Sequence, residues 1–305
     1  MPHIDIIAEI GSNHGGDLDT AKRYIEAAAR AGADVAKFQS LTRDGLIARF
    51  VRDPQSGEIV ANPKHAAFSN AGLPDDWHAP LKACCEDNGI EFMSTPFSLE
   101  AVDLMEGIGV KRYKVASGDL TFVPLLEKLG RTGKPVILST GAAYLDEVEE
   151  AVATLKHAGC HDITVLHCAA SYPPSWDDMN LTAITTLKTA LGRPVGLSDH
   201  SPGHTAPIAA AALGATVIEK HVTFDRSLDG PDHPFAMEFD ELAAMIADLR
   251  ILEAALGDGE KKPAPSEINR RRNLRRGRYG SDGKPDAQGD VWLRPQWEPD
   301  ERAGK

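Results

Sequence analysis

Two histidines, His200 and His221, follow two short apolar runs, residues 194–197 and 216–218, with a small-residue segment, 205–213, between them. That segment has helical spacing and Gly214 behind it, so the stretch reads strand, helix, strand. In such a unit the strands are parallel and their carboxyl ends lie side by side. Ser198, Asp199 and His200 after the first run, and Glu219, Lys220 and His221 after the second, are therefore expected in one crevice. Two imidazoles beside Asp199 and Glu219 suit a divalent metal, whereas either histidine alone would more simply hydrogen-bond in a packed loop.

The elements that must position these residues repeat along the chain. Strand-like runs are expected at 4–10, 34–38, 90–93, 112–116, 135–138 and 162–166, ahead of the two already named. Helical spacing covers 18–31, 74–88, a short stretch from 99, 122–129, 146–157, 181–191, 205–213 and 240–256. Residues 41–73 form a long polar excursion without an assignable element, a length typical of a lid. Eight strand–helix pairs within the first 257 residues match the span of a (β/α)₈ TIM barrel, an α/β fold of about 250 residues. A doubly wound sheet is the alternative, but no G-x-G-x-x-G follows the first strand.

Composition narrows the function. A net charge of −12 argues against a nucleic-acid groove or an anionic membrane surface. No apolar run approaches the length of a membrane span, and the first residues lack the charge and cleavage pattern of a secretion signal. The four cysteines, Cys84, Cys85, Cys160 and Cys168, have no metal-finger spacing. A cytoplasmic protein is expected.

A barrel collects its strand carboxyl ends at one mouth. Here that mouth would gather Glu9, Asn13, Lys37, Gln39, Thr95, Lys114, Ser117, Asp119, Ser139, Tyr172, Ser198, His200 and His221. Two lysines among hydroxyls suit a phosphate and a carboxylate. A mouth lysine can alternatively form a Schiff base with a carbonyl substrate, but two lysines beside hydroxyls favour anion neutralisation.

The residues also carry a resemblance. AEIGSNHGG (8–16), KFQ (37–39), STPF (94–97), YKVASGDL (113–120), LSTG (138–141), LHCAASYP (166–173), GLSDH (196–200), EKH (219–221) and GPDH (230–233) occur in that order. As a set they resemble the N-acetylneuraminate (sialic acid) synthase family across the whole barrel. The family condenses phosphoenolpyruvate with an open-chain 2-acetamido sugar such as N-acetylmannosamine. The products are a nine-carbon 2-keto-3-deoxy acid and phosphate.

The resemblance implies His200 and His221 as ligands of a divalent ion, Mn²⁺ first, with Mg²⁺ or Co²⁺ as alternatives. It implies Lys37, Thr95, Lys114, Ser117, Ser139 and Ser198 around phosphoenolpyruvate, and Gln39, Asp119, Tyr172 and Asp232 facing the sugar. Glu9 would stand by the reacting carbons, and with Lys37, Lys114 and the two histidines would make up the catalytic set. A homodimer is implied as well.

Two departures stand out. Ala169, Ala170 and Ser171 occupy a segment in which many members carry an Asn. The family also usually continues into an antifreeze-like (SAF) domain that lends an arginine to the partner's sugar site. Residues 258–305 are too few for that domain and read as an Arg-rich, then Gly/Pro-rich tail. The tail holds twelve Lys and Arg against nine Asp and Glu, leaving the barrel near −15. Arg270, Arg271, Arg272, Arg275, Arg276 and Arg278 are thus placed to seek an acidic neighbour, against the simpler expectation of a solvated tail. Two other readings fit less well: a related donor-using enzyme such as 3-deoxy-D-manno-octulosonate 8-phosphate synthase, and a non-catalytic sugar-binding barrel.

Overall fold

Asp17 opens the first helix by accepting from the Thr20 amide at 2.7 Å, and Gly32, at φ +92°, ends it. In the computed structural model, which describes residues 3–65 and 72–296, this local logic repeats around the first of two units, residues 1–256. β1 (Asp5–Glu9) leads to α1 (Leu18–Ala31) and β2 (Val35–Ser40). The excursion then holds a one-turn helix, α2 (Arg43–Leu46), and a hairpin of β3 (Phe50–Arg52) with β4 (Ile59–Ala61). Residues 66–71, part of the expected lid, lie outside the described residues.

Regular alternation resumes with α3 (His78–Asp87), β5 (Glu91–Pro96), α4 (Leu99–Ile108), β6 (Tyr113–Val115) and α5 (Val123–Thr132). It continues with β7 (Val136–Ser139), α6 (Leu145–Ala158), β8 (Ile163–Cys168) and α7 (Ala183–Leu191). It closes with β9 (Val195–Asp199), α8 (Thr205–Ala212), β10 (Val217–Thr223), the short β11 (Met237–Glu238) and α9 (Phe239–Leu256).

Eight parallel strands run β5-β2-β1-β10-β9-β8-β7-β6. Strand order follows the sequence round the barrel, with the first strand β1 closing against the last, β10, and without the reversal of a doubly wound sheet. The end strands β5 and β6 lie against each other, though no backbone ladder joins them among the described residues. The result is a nearly closed (β/α)₈ barrel. At its amino-terminal rim Arg112, just before β6, donates to Glu91 at 2.9 Å and pairs with Asp5, clasping the starts of β5 and β1.

Period-two alternation explains what fills the barrel. Ile7, Val35, Met93, Ile137, Leu166 and Val217 form an apolar cluster of their own, apart from the larger core. Two residues further along the same strands stand Glu9, Lys37, Thr95, Ser139, Cys168 and Glu219. The polar mouth is thus the next layer of the same inward faces, resting on an apolar plug. Gly196 belongs to the plug: a Cβ there would stand 2.4 Å from the Val217 carbonyl oxygen and 2.6 Å from Leu166 Cδ2.

Several strands run further at their carboxyl ends than the sequence expectation, among them β2, β5, β8 and β9, and β10 most consequentially. The run expected at 216–218 continues through Thr223, so Glu219, Lys220 and His221 lie within β10 rather than after it. Alternation then turns Lys220 outward, where its ammonium lies 2.5 Å from Asp199 Oδ2. Asp199, expected in the crevice, faces away from it.

The second unit, residues 257–305, contains α10 (Pro265–Leu274) and an antiparallel ribbon of β12 (Gly277–Tyr279) with β13 (Val291–Leu293). The Arg-rich run is therefore partly helical, and Arg278 lies over the Trp292 ring at 5.9 Å.

Candidate active site

The two lysines expected in the mouth are there, and both are buried. Lys37, on β2, places its Nζ 2.7 Å from Glu9 Oε2, 3.2 Å from Thr95 Oγ1 and 3.7 Å from Glu219 Oε2. Lys114, on β6, donates to Ser139 Oγ at 2.6 Å and to the Val115 carbonyl at 3.0 Å. It stands 3.8 Å from Glu219 Oε1, the same oxygen that accepts from Ser198 Oγ at 3.2 Å. Gln39 Nε2 donates to Glu9 Oε1 at 2.7 Å. Two cations and two carboxylates thus balance in a buried layer where any one alone would be costly.

Their titration is pushed apart. Burial, with Glu219 adding, raises Glu9 to about 7 despite its contact with Lys37. Burial also opposes ionisation of Glu219, but Lys114 and Lys37 together outweigh it and bring its carboxyl down to about 2. Desolvation disfavours the Lys37 ammonium, and Glu219 and Glu9 more than compensate, so its pKa rises. Lys114, with desolvation prevailing, is lowered. Two acids whose titrations are pushed apart in one mouth can serve different roles.

The histidines meet as the parallel unit requires, with ring centroids 5.3 Å apart. His200 Nδ1 lies 3.3 Å from the Ala169 carbonyl, which can only accept, so this nitrogen donates and leaves Nε2 its lone pair. His221 Nδ1 is buried without a hydrogen-bond partner, 3.9 Å from Asp232 Oδ2. Burial and the neighbouring His221 bring His200 down to about 4, and burial lowers His221 too. Neutral imidazoles with free nitrogens are the metal-binding form, so this pair fits a divalent cation. No cluster of three or more candidate protein ligands occurs among the described residues. Water or substrate would complete the shell, as at open catalytic sites.

Loops supply the rest. Asp232 accepts from Ser12 Oγ at 3.1 Å. Gly11, at φ +55°, lets Asp232, Gln39 and Glu9 converge: a Cβ there would lie 3.1, 3.3 and 3.4 Å from their polar atoms. Ser117 Oγ accepts from the Gly141 amide at 2.9 Å. Tyr172 is 57% exposed but sets its ring 4.3 Å from that of His200. Asp119, in a turn after β6, hydrogen-bonds to none of the other site residues, and burial raises it to about 6 although Lys114 pulls the other way.

Three participants take roles that the sequence did not assign, although Glu219 was expected in the crevice. Glu219 is the hub between both lysines and Ser198, a role visible only once β10 is known to continue past it. Phe235 stands edge-on to both histidines, at 5.1 Å from His221 and 5.9 Å from His200. Cys168 lies 3.9 Å from His200 Nδ1, and only its position two residues after Leu166 hinted at an inward face.

A barrel with paired lysines, ringed hydroxyls and a neutral histidine couple at its carboxyl-terminal mouth has the makings of an enzyme for anionic substrates. The chain belongs to the NeuB family, whose model matches residues 24–261, and is thereby a carbon–carbon bond-forming transferase of the N-acetylneuraminate synthase type. It is 42% identical to N,N'-diacetyllegionaminic acid synthase of Campylobacter jejuni over 86% of this chain and 80% of that one. It is 35% identical to human N-acetylneuraminate-9-phosphate synthase over 86% of this chain and 74% of that one. The crystal structure of N-acetylneuraminic acid (sialic acid) synthetase from Leptospira borgpetersenii, in complex with citrate, superposes with a TM-score of 0.79. That match has 37% identity and covers 90% of this chain and 93% of the other.

Proposed function

We propose that the protein condenses phosphoenolpyruvate with an open-chain 2-acetamido sugar, N-acetylmannosamine or a related aminosugar, to a 2-keto-3-deoxy nonulosonic acid and phosphate. The observation that carries this reading is the pairing of Lys37 with Thr95 and Lys114 with Ser139 on either side of Glu219. Two cations, each beside a hydroxyl, suit a donor with a phosphate and a carboxylate. Ser117 and Ser198 extend that set.

His200 and His221 would hold a divalent cation, Mn²⁺ in this reading, which when bound supplies Lewis-acid polarisation of the sugar aldehyde. Lys37 and Lys114 fix the donor so that its C3 faces the aldehyde carbon. As the C3–carbon bond forms, positive charge develops at C2, and Glu9, buried beside Lys37, is the carboxylate that stabilises it in this reading. Glu9 is also the group to take a proton from the water that adds at C2. Collapse of the tetrahedral carbon breaks the bond from C2 to the phosphate ester oxygen, and the new hydroxyl loses its proton as the C2 ketone forms. The former aldehyde oxygen takes up the proton that Glu9 received, and phosphate leaves. Gln39, Asp119, Tyr172 and Asp232 orient the sugar.

Phosphate release from phosphoenolpyruvate, measured over a panel of 2-acetamido hexoses with Mn²⁺ or with chelator, tests the reading. Release that depends on an acetamido sugar and on metal supports it. Release with a phosphorylated pentose instead, or none with any sugar, overturns it. The reading includes a cytoplasmic homodimer in which the tail helps cover the sugar. Truncation after Gly257 tests that part, and an unchanged sugar KM removes the tail from the site.

A further inference from the structure

Behind the histidine pair, on the outer face of the sheet, Lys220 and Asp199 form an ion pair that the chemistry of the mouth leaves without a role. Both side chains are 1% exposed or less, and they meet at 2.5 Å. The two residues are Cα partners on β10 and β9. Lys220 also donates to the Ser201 carbonyl, and the Ser201 amide donates to Asp199 Oδ1 at 2.9 Å. The residues on either side of His200 are therefore tied to each other, and both to the residue preceding His221.

On the inner face the same two strands carry Ser198 beside Glu219, and His200, directly after β9, stands beside His221. Stability alone does not account for the ion pair. Desolvation of two buried charges consumes most of their attraction, and a well-packed apolar pair is often as stable or more so. An apolar pair lacks hydrogen bonds aimed at both backbone groups of Ser201. Those bonds fix the corner from which His200 projects.

We propose that Lys220 is a positioning residue. Together with Asp199 and the Ser201 backbone it clamps the corner at residues 199–201, setting His200 against His221 and Ser198 against Glu219. The proposal rests on the metal and donor reading of the mouth. Groups that orient metal ligands in this way typically carry a 10- to 100-fold share of metal affinity.

Calorimetric titrations with Mn²⁺ and, separately, phosphoenolpyruvate test the clamp in wild type, Lys220→Met, the apolar pair Asp199→Leu with Lys220→Met, and His200→Ala. Thermal midpoints are read in parallel. The expected result is Mn²⁺ affinity lowered about 10- to 100-fold in both Lys220 variants, with the midpoint of the apolar pair recovered towards wild type. Wild-type Mn²⁺ affinity in the apolar pair overturns the clamp, because a purely structural pair is replaceable. Should the apolar pair not fold, Asp199→Asn decides in its place: lowered affinity supports the clamp and unchanged affinity overturns it. If wild type and His200→Ala alike take up no Mn²⁺, the metal reading fails separately. The phosphoenolpyruvate titration then decides, several-fold weakening supporting the clamp through Ser198 and Glu219 and no change overturning it.

Discussion

Glu9 and Lys37 are Cα partners on β1 and β2, and their charged ends meet 2.7 Å apart within the mouth. Even so, burial raises the Glu9 carboxyl from 4.5 to about 7. The folded protein therefore holds this proton more tightly than the unfolded chain does. Raising the pH ionises Glu9 first in the unfolded state, so its contribution to stability is present below 4.5 and is lost by about 7. In chelator, urea unfolding of wild type relative to Glu9→Gln should lose at most about 3 kcal/mol across that window. Parallel curves for the two proteins would show that the Glu9 carboxyl titrates alike in the folded and unfolded states.

The histidine couple makes a separable prediction. His200→Ala or His221→Ala should lower Mn²⁺ affinity at least about tenfold and remove metal-dependent phosphate release. Circular dichroism should still report a folded barrel. Normal turnover of His200→Ala in chelator would take the metal out of the reaction.

Lys114 should act on the donor more than on the sugar. A charge-assisted hydrogen bond contributes about 1.5–3 kcal/mol, so Lys114→Met should weaken phosphoenolpyruvate binding by about ten- to a hundredfold. Sugar affinity should change less. Equal loss for both substrates, measured by titration, would place Lys114 outside the donor subsite.

Gly196 predicts a fold effect with a functional echo. Gly196→Ala puts a methyl group into the Val217 carbonyl and the Leu166 side chain, and overpacking of this kind costs about 1–3 kcal/mol or more. The urea midpoint should fall. Donor affinity should fall with it, since Ser198 stands two residues further along the same face.

The barrel was legible because each strand and helix carries its own local signal. Apolar runs alternate with helical spacing, and glycines such as Gly32 and Gly133 end the helices at positive φ. The inward polar layer was legible in part: Glu9, Lys37, Thr95, Lys114, Ser139 and Ser198 were all expected at the mouth. Lys220 and Asp199 were harder, because Glu219, Lys220 and His221 look polar enough to end a strand. A buried ion pair on the outer face lets the strand continue through them, and that pairing is a tertiary fact. Glu219 was expected in the crevice, but its role as a hub was not legible, because its partners Lys37, Lys114 and Ser198 come from three other strands. Phe235 gave no sign in the sequence that its ring would meet the histidines.

The unladdered seam between β5 and β6 divides the anion-binding set. Lys37 and Thr95 stand on β2 and β5 to one side of it, and Lys114 and Ser139 on β6 and β7 to the other. At the far rim Arg112 clasps the seam, while no ladder joins β5 to β6 among the described residues. An anion held by both lysines would therefore act as a staple on the open edge of the barrel, drawing two strands together that the backbone leaves unjoined. Donor binding should then slow amide hydrogen exchange along β5 and β6, including at residues that never touch the ligand.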